Sequence, residues 1–470
     1  MQIDIRDFGA VADAKTDSTP AIEAAIHAAA QSGSRRSVTI PSGGVFVARS
    51  FALLSNIILE VQGTLRGVVD EKLIVHHGKR PQPWPIFPPL PTYGRDRDGA
   101  KPGRYRALIY ADRASNVTIC GSGVIDGSGP WWWSRKRSLP FGRPHLIELH
   151  NSSNLQIHGI TLKDSPFWTV HLAYSQHIHV HDVTIRAPLY APNTDGIDPD
   201  SCRDVLIERC DISVGDDHIA VKAGLSPVAR EGFPQYLTEN VVVRHNVLRA
   251  GMGISIGSET SGGIRNVSVH HNTFLGSGWS VALHVKSAAQ RGRFVEDVTF
   301  ADNEVTNTTA FLRLDSFGRS LDPESYRPTA IRRISWLRNR FLNDAGGSDG
   351  GKRVRAKFIC PSRAGGCSNI SIINNTHSTP ALASWHCDGI SSFEVHGNTP
   401  GGLEKCMKRG QRAMPRKQGG ARPKTKPRKS RHKRRVARGG RENNQQKVMK
   451  YRRFDWKTQT ASWKWSTTAE

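Results

Sequence analysis

The segments "NLQIHGITLKDS" (residues 154–165) and "HIHVHDVTIRAP" (177–188) share one pattern. Each opens on a polar residue. Alternating apolar residues follow, the period-two signature of a strand with one buried face. A turn residue breaks the run, and a second short β-rich run follows. The same form recurs in "NVTICGSGVIDG", "DVLIERCDISVGDD", "NVVVRHNVLRAG", "NVSVHHNTFLGS", "DVTFADNEVTNT", "RRISWLRNRF" and "NISIINNTHS". Most open with Asn or Asp ahead of Val, Leu or Ile. The starts lie roughly 23–38 residues apart, with no helical stretch between them. One such unit cannot bury its own apolar face, so units must stack and share a core. The expected fold is all-β: a single-stranded right-handed parallel β-helix, or solenoid. A β-propeller is the main competitor, but it needs about four strands per 40–45-residue blade.

One helix is predicted, near the start. In "TDSTPAIEAAIHAAAQSG" Ser18 or Thr19 can cap, Pro20 suits the first turn, and Ile22, Ala25 and Ile26 form an apolar stripe ended by Gly33. Such an N-terminal capping helix would cover the open end of the solenoid, where an unpaired coil invites aggregation. The proline-rich and aromatic stretch "HHGKRPQPWPIFPPLPTYGRDRDGAKPGRY" reads as a long loop forming one wall of a cleft.

The net charge of +25 suggests nucleic acid until its distribution is read. Residues 401–470 hold 23 of the 66 Lys and Arg but 4 of the 41 Asp and Glu, a balance of +19. The first 400 residues carry only +6. Two regions follow: a β-helix domain over 1–400, and a basic, low-complexity, disordered tail over 407–470 that is too poor in apolar residues to fold. The tail can be read as a nucleic-acid or anionic-surface arm, or as a plain extension; no nucleic-acid partner is expected of the body. No apolar run is long enough to span a membrane. No basic and apolar leader precedes "IDIRDFGA", so the compartment stays open between the cytoplasm and secretion with a missing leader. Seven cysteines fit no zinc spacing; Cys202/Cys210 and Cys360/Cys367 could be disulfides or buried thiols.

Acid residues gather in "APNTDGIDPDS" (191–201) and "SVGDDHIAVKAG" (213–224). Asp195 and Asp217 lie one coil apart, and corresponding positions on successive coils stack about 4.8 Å apart. Asp195, Asp216 and Asp217 could therefore share a face. Carboxyls packed so closely repel, which keeps one protonated and available as an acid. A protonated and an ionised carboxyl together are what glycoside hydrolysis needs. Two plainer readings stand beside this one: Asp as a turn residue, and Asp195, Asp198 and Asp200 as calcium ligands. Asp198 and Asp200 are assigned structural roles. Gly251, Met252 and Gly253 fall one coil further on, and His284 and Lys286 a coil beyond that, alternating on one side of a strand.

These residues resemble glycoside hydrolase family 28, the polygalacturonases and their relatives in the pectin-lyase-like β-helix superfamily. The resemblance covers nearly all of residues 3–400. It rests on "IDIRDFGAVADAKTDSTPAIEAAI", "NVTICGSGVIDGSGPWWW", "RPHLIELHNSSNLQIHGITLKDSPFWTVH", "PNTDGIDPDSC", "GDDHIAVKAG" and "GISIGSETSGGIRNV". It implies an inverting hydrolase of O-glycosidic bonds in a pectic polysaccharide or oligogalacturonide. Asp216 would protonate the glycosidic oxygen, and Asp195 and Asp217 would activate water in the space between the carboxyls. Asn193, Gly251, Met252, His284 and Lys286 would bind substrate. No metal or organic cofactor is implied, and a monomer is expected.

Two positions depart from the family. Its Gly-His-Gly stands here as Gly251-Met252-Gly253, and its Arg-Ile-Lys as His284-Val285-Lys286. Met cannot tune an acid. His284 lacks the bidentate fork with which Arg grips a carboxylate. The chain is therefore expected either to act on a different or less anionic pectic glycoside, or to be an impaired relative that only binds sugar. The intact trio of carboxyls favours activity.

Overall fold

The computed structural model describes residues 2–399 except 32–33, 70–83, 95–96, 100, 277–280, 289, 307, 309, 318–326, 343–354, 361–366, 379–383 and 389, together with 449–455 and 460–465. Its strands form three long parallel sheets of 13, 12 and 11 strands. Each coil of chain adds one strand to each sheet. Arg203–Glu208, Asp211–Ser213 and Ile219–Val221 make one coil, and Thr238–Arg244, Val247–Leu248 and Ile254–Ile256 the next. Val205 pairs with Val241, Ile212 with Leu248 and Ile219 with Ile254. This is a right-handed parallel β-helix; a propeller, built of antiparallel blades, is excluded by the parallel pairing.

The Asn or Asp that opens each repeat has a backbone cause. In nine coils the residue just ahead of the first apolar one (Asn116, Asn154, His177, Asp204, Asn240, Asn266, Asp297, Arg333, Asn369) has φ between 53° and 58°. Left-handed backbone is costly for most side chains, and Asn and Asp tolerate it best. A second column solves the next corner. Asn246, Asn272, Asn303, Asn339 and Asn375 stack on successive coils, each side-chain oxygen accepting the backbone N–H of the Asn one coil earlier at 2.9–3.1 Å, or of Cys210 in the case of Asn246. Turn N–H groups that no strand could satisfy thus find partners inside the protein.

Between the sheets the apolar positions form continuous columns. Ile157, Val180, Ile207, Val243, Val269, Phe300, Trp336 and Ile372 follow one another in register, all buried. Each such side chain contributes on the order of 1.5–3 kcal/mol when removed from water. The helix Thr19–Gln31 buries Ala21, Ile22, Ala25, Ile26 and Ala29 against the first coils. Its cap differs from expectation. Asp17 accepts the Thr19 backbone N–H at 3.0 Å and its hydroxyl at 2.6 Å, so a residue one position earlier than Ser18 does the work. Gly33 lies outside the described residues.

The described residues of the proline-rich stretch, 84–94, 97–99 and 101–105, form a wall loop pinned to the β-helix. Ile86–Phe87 pairs antiparallel with Arg104–Tyr105. Between them Tyr93 donates to Asp200, Asp98 binds Arg143 at 2.7 Å, and Arg104 binds Glu148. Of the two cysteine pairs, Cys360–Cys367 is bridged. Cys202 and Cys210 are thiols, and burial pushes both up to about 12. The chain divides into units Met1–Pro415 and Arg416–Glu470. In the second, Met449–Asp455 pairs antiparallel with Thr460–Trp465, beyond the low-complexity stretch 416–446. The remainder of the region expected to be disordered lies outside the described residues. No helix among the described residues is long and apolar enough to cross a membrane.

Asn303 tests the ladder. Its oxygen accepts from Asn272 and its amide donates to the Val269 carbonyl at 3.0 Å and to Asn339 at 2.9 Å. Asn303→Ala strands these groups and should cost about 2–4 kcal/mol in denaturant unfolding. A loss below about 0.5 kcal/mol would mean that water satisfies the corner equally well.

Candidate active site

The three expected acids meet. Asp195 and Asp217 each precede by two residues the paired Ile197 and Ile219, so coil stacking sets one above the other. One oxygen from each of Asp195, Asp216 and Asp217 lies within 4.8 Å of the others. Small residues allow the approach. A Cβ at Gly215 would stand 2.0 Å from the Ala191 carbonyl, and the Gly215 N–H donates to the Thr194 hydroxyl at 2.9 Å. The loops before Asp195 and Asp216 are thereby locked together.

Their surroundings separate the three. Lys286 stands 2.6 Å from Asp217 Oδ2, and the Ser255 hydroxyl donates to Oδ1 at 2.8 Å. Burial pushes Asp217 up, but Lys286, joined by Lys222 and the Ser255 hydroxyl, outweighs it and holds the carboxyl below its usual value. Lys222 Nζ donates to Asp195 Oδ2 at 3.2 Å, which restrains the rise that burial and Asp217 impose on Asp195. Among the described residues no lysine contacts Asp216, and the pull of Lys286 and Lys222 on it is the weaker influence. Burial first, then repulsion from Asp195 and Asp217, raises it from 3.8 to about 8. At neutral pH it holds its proton.

Of the proposed binding residues, Asn193 faces the acid: its amide is 3.5 Å from Asp216 Oδ2, and its oxygen accepts from Lys136 at 2.7 Å. The Met252 N–H donates to the Asp216 carbonyl at 2.8 Å, and its side chain is 46% exposed beside the acid. A Cβ on Gly251 would meet the His218 ring at 2.6 Å, so this position is held by close packing. His284 is buried, in register with Ser255.

The sequence reading missed four contributors. Lys222 sits beneath the site, 3.6 Å from Asp198 and 3.8 Å from Glu259, with its ammonium 4.0 Å from the Trp168 ring centre. Glu259, in "GISIGSETSGG", reaches back to Lys222 and outward to Arg97 of the wall loop at 2.7 Å. Ser255 orients Asp217. The signal for Lys222 was present: it follows Ala220 by two along the strand after the Asp pair, on the outward side, and bridges in register to Asp200. Asp198, assigned a structural role, lies buried against Lys222, and burial pushes its carboxyl well above the usual range. Asp200 anchors the wall through Tyr93 and also accepts the Gly224 N–H at 3.0 Å. The calcium reading of Asp195, Asp198 and Asp200 weighs less here, because Lys222 already stands in the cation's place on Asp195 and Asp198, and Tyr93 holds Asp200.

A protonated carboxyl beside two lysine-held ones, borne on a parallel β-helix, is the acid and carboxylate pairing that glycoside hydrolysis uses. The family described as Glycosyl hydrolases family 28 matches residues 37–381. A probable polygalacturonase of Vitis vinifera is 35% identical over 345 residues, covering 72% of this chain and 67% of that one. Two solved structures share the fold. An exopolygalacturonase from Thermotoga maritima has TM-score 0.67 and 24% identity, covering 84% of this chain and 92% of its own. The polygalacturonase from Erwinia carotovora ssp. carotovora has TM-score 0.65 and 22% identity, covering 81% and 95%. The chain belongs to glycosyl hydrolases family 28 and is a polygalacturonase-like, pectin-degrading glycoside hydrolase.

The raised Asp216 makes stability depend on pH. The folded state keeps a proton that the unfolded chain releases near 3.8, so stability falls as pH rises from there to about 8. Asp216→Asn is neutral throughout. Its Tm should exceed the wild type by roughly 2–4 °C at pH 8 and match it near pH 4. Parallel Tm–pH curves for the two proteins would refute the raised carboxyl.

Proposed function

We propose that the protein hydrolyses O-glycosidic bonds of a galacturonate-containing polysaccharide or oligosaccharide with inversion at the anomeric carbon. Asp216 is the general acid. Asp195 and Asp217 hold one water and take its proton. The observation that supports this division is the contrast within one cluster: Asp216 raised to about 8, Asp217 held low by Lys286. As the glycosidic bond lengthens, Asp216 gives its proton to the leaving oxygen. Water adds to the oxocarbenium-like carbon from the opposite face, and its proton passes to the Asp195–Asp217 pair.

The spacing is tighter than the resemblance implied. Oxygens within 4.8 Å fall short of the ~6.5–9.5 Å common in inverting pairs and lie near the ~5 Å of retaining ones. The support for inversion is instead chemical. Both oxygens of Asp217 are engaged, one by Ser255 and one by Lys286, and Lys222 holds Asp195. Carboxylates so held suit orienting a shared water better than attacking carbon. Met252 offers the sugar an apolar contact at the acid's side.

Asp216→Asn should lower kcat for reducing-end release from polygalacturonate by about 10²–10⁴-fold. The wild-type rate should decline as pH rises through about 8, where Asp216 loses its proton. Proton NMR of the first product should show the anomer opposite to the bond cleaved. A retained anomer would reassign Asp195 or Asp217 as a nucleophile.

A further inference from the structure

We propose that Arg97, carried by the proline-rich wall loop, binds the carboxylate of the galacturonate ring lying over Asp195 and Asp217. The inference rests on the hydrolase reading above and names the residue that selects a charged ring. A galacturonan is a polyanion, yet the floor of this site is itself acidic. The substrate needs an exposed cation that keeps N–H donors to spare beyond those the protein's own groups take.

Among the described residues, Lys222, Lys286 and Arg143 at the floor are all engaged, and Arg291 gives its guanidinium to the Ser258 carbonyl. Lys222, with 4% of its side chain exposed, stands among Asp195, Asp198 and Glu259. Lys286 is 2.6 Å from Asp217. Arg143 is fully buried, donating to Asp98 and to the carbonyls of Pro166 and Pro192. The strand position that would otherwise present a fork holds His284, which is buried. Lys136, on the acid's side, gives its ammonium to Asn193.

Arg97 differs from the three buried or half-buried cations in exposure, and from the equally exposed Lys136 in being tied to the acids through Glu259. Its side chain is 37% exposed while Nη2 contacts Glu259 Oε1 at 2.7 Å. Glu259 is in turn fixed by Lys222, which contacts Asp195, so a chain of three contacts ties the guanidinium to the catalytic cluster. Glu259 above all, with Asp195 and Asp216 behind it, keeps Arg97 charged. Tyr93 and Asp98, on either side of Arg97 in sequence, are anchored to Asp200 and Arg143. A guanidinium presents five N–H donors, so one engaged by Glu259 leaves donors for a bidentate grip on a second carboxylate.

The test compares polygalacturonate with a fully methyl-esterified galacturonan, whose rings carry no charge. Arg97→Ala should raise KM for polygalacturonate about tenfold with kcat within about threefold, and leave kcat/KM for the ester within about threefold. Arg97→Lys keeps a charge for Glu259 but loses the fork, and should fall between. Equal losses on both substrates would make Arg97 a mere anchor of the loop, and no loss on either would remove it altogether; both overturn the proposal. Calorimetry of trigalacturonate binding to Asp216→Asn, with and without Arg97→Ala, separates the two readings. About tenfold weaker binding without Arg97 supports it even if the wild type cleaves no galacturonan, in which case the hydrolase reading falls alone. Unchanged binding in an enzyme that does cleave it sinks Arg97 and spares the hydrolase.

Discussion

Everything in this molecule depends on the parallel hydrogen bonding of one coil to the next. It fixes the separation of equivalent residues at about 4.8 Å and repeats it the length of the solenoid. Inside, that spacing suits apolar side chains, and columns such as Ile207, Val243 and Val269 need nothing more. At the corners it leaves backbone donors without strand partners, which the left-handed Asn and Asp residues and the buried Asn column resolve. On the outer face the same spacing forces charged side chains together whether or not they attract.

The active cluster exploits that compulsion. Asp195 and Asp217 are stacked by register, and Asp216 is brought in by its neighbour's turn. Lys222 and Lys286 offset the negative charge of two acids, and Arg97 balances Glu259. No cation stands on Asp216 within hydrogen-bonding distance among the described residues, so it retains its proton. A proton donor arises because charge compensation stops one residue short. The arrangement opposes stability at alkaline pH and provides the asymmetry that acid–base chemistry needs.

The wall loop completes the site by burying a face that would otherwise be wet. Glu148, His171 and Asp200 project from strands of the sheet beside the acids, Glu259 follows the strand Ile254–Ile256, and all four are removed from solvent. Each is met by a partner. Arg104 and His171 bind Glu148, Tyr93 binds Asp200, and Arg97 binds Glu259. Polar groups on the sheet thus position a loop whose sequence, rich in proline, would not order itself.

Period-two apolar runs at regular intervals determined the β-helix, because any chain with that pattern must stack its coils to bury them. The carboxyl trio was legible for the same reason: coil length alone placed Asp195 under Asp217. The Cys360–Cys367 bridge, the Asp17 cap and the roles of Lys222, Glu259 and Arg97 were decided only by the tertiary structure. Each depends on which side chain reaches across coils or down from a loop, a distance that sequence spacing does not encode. The sequence determined that acids would be crowded, and the fold decided which of them would keep the proton.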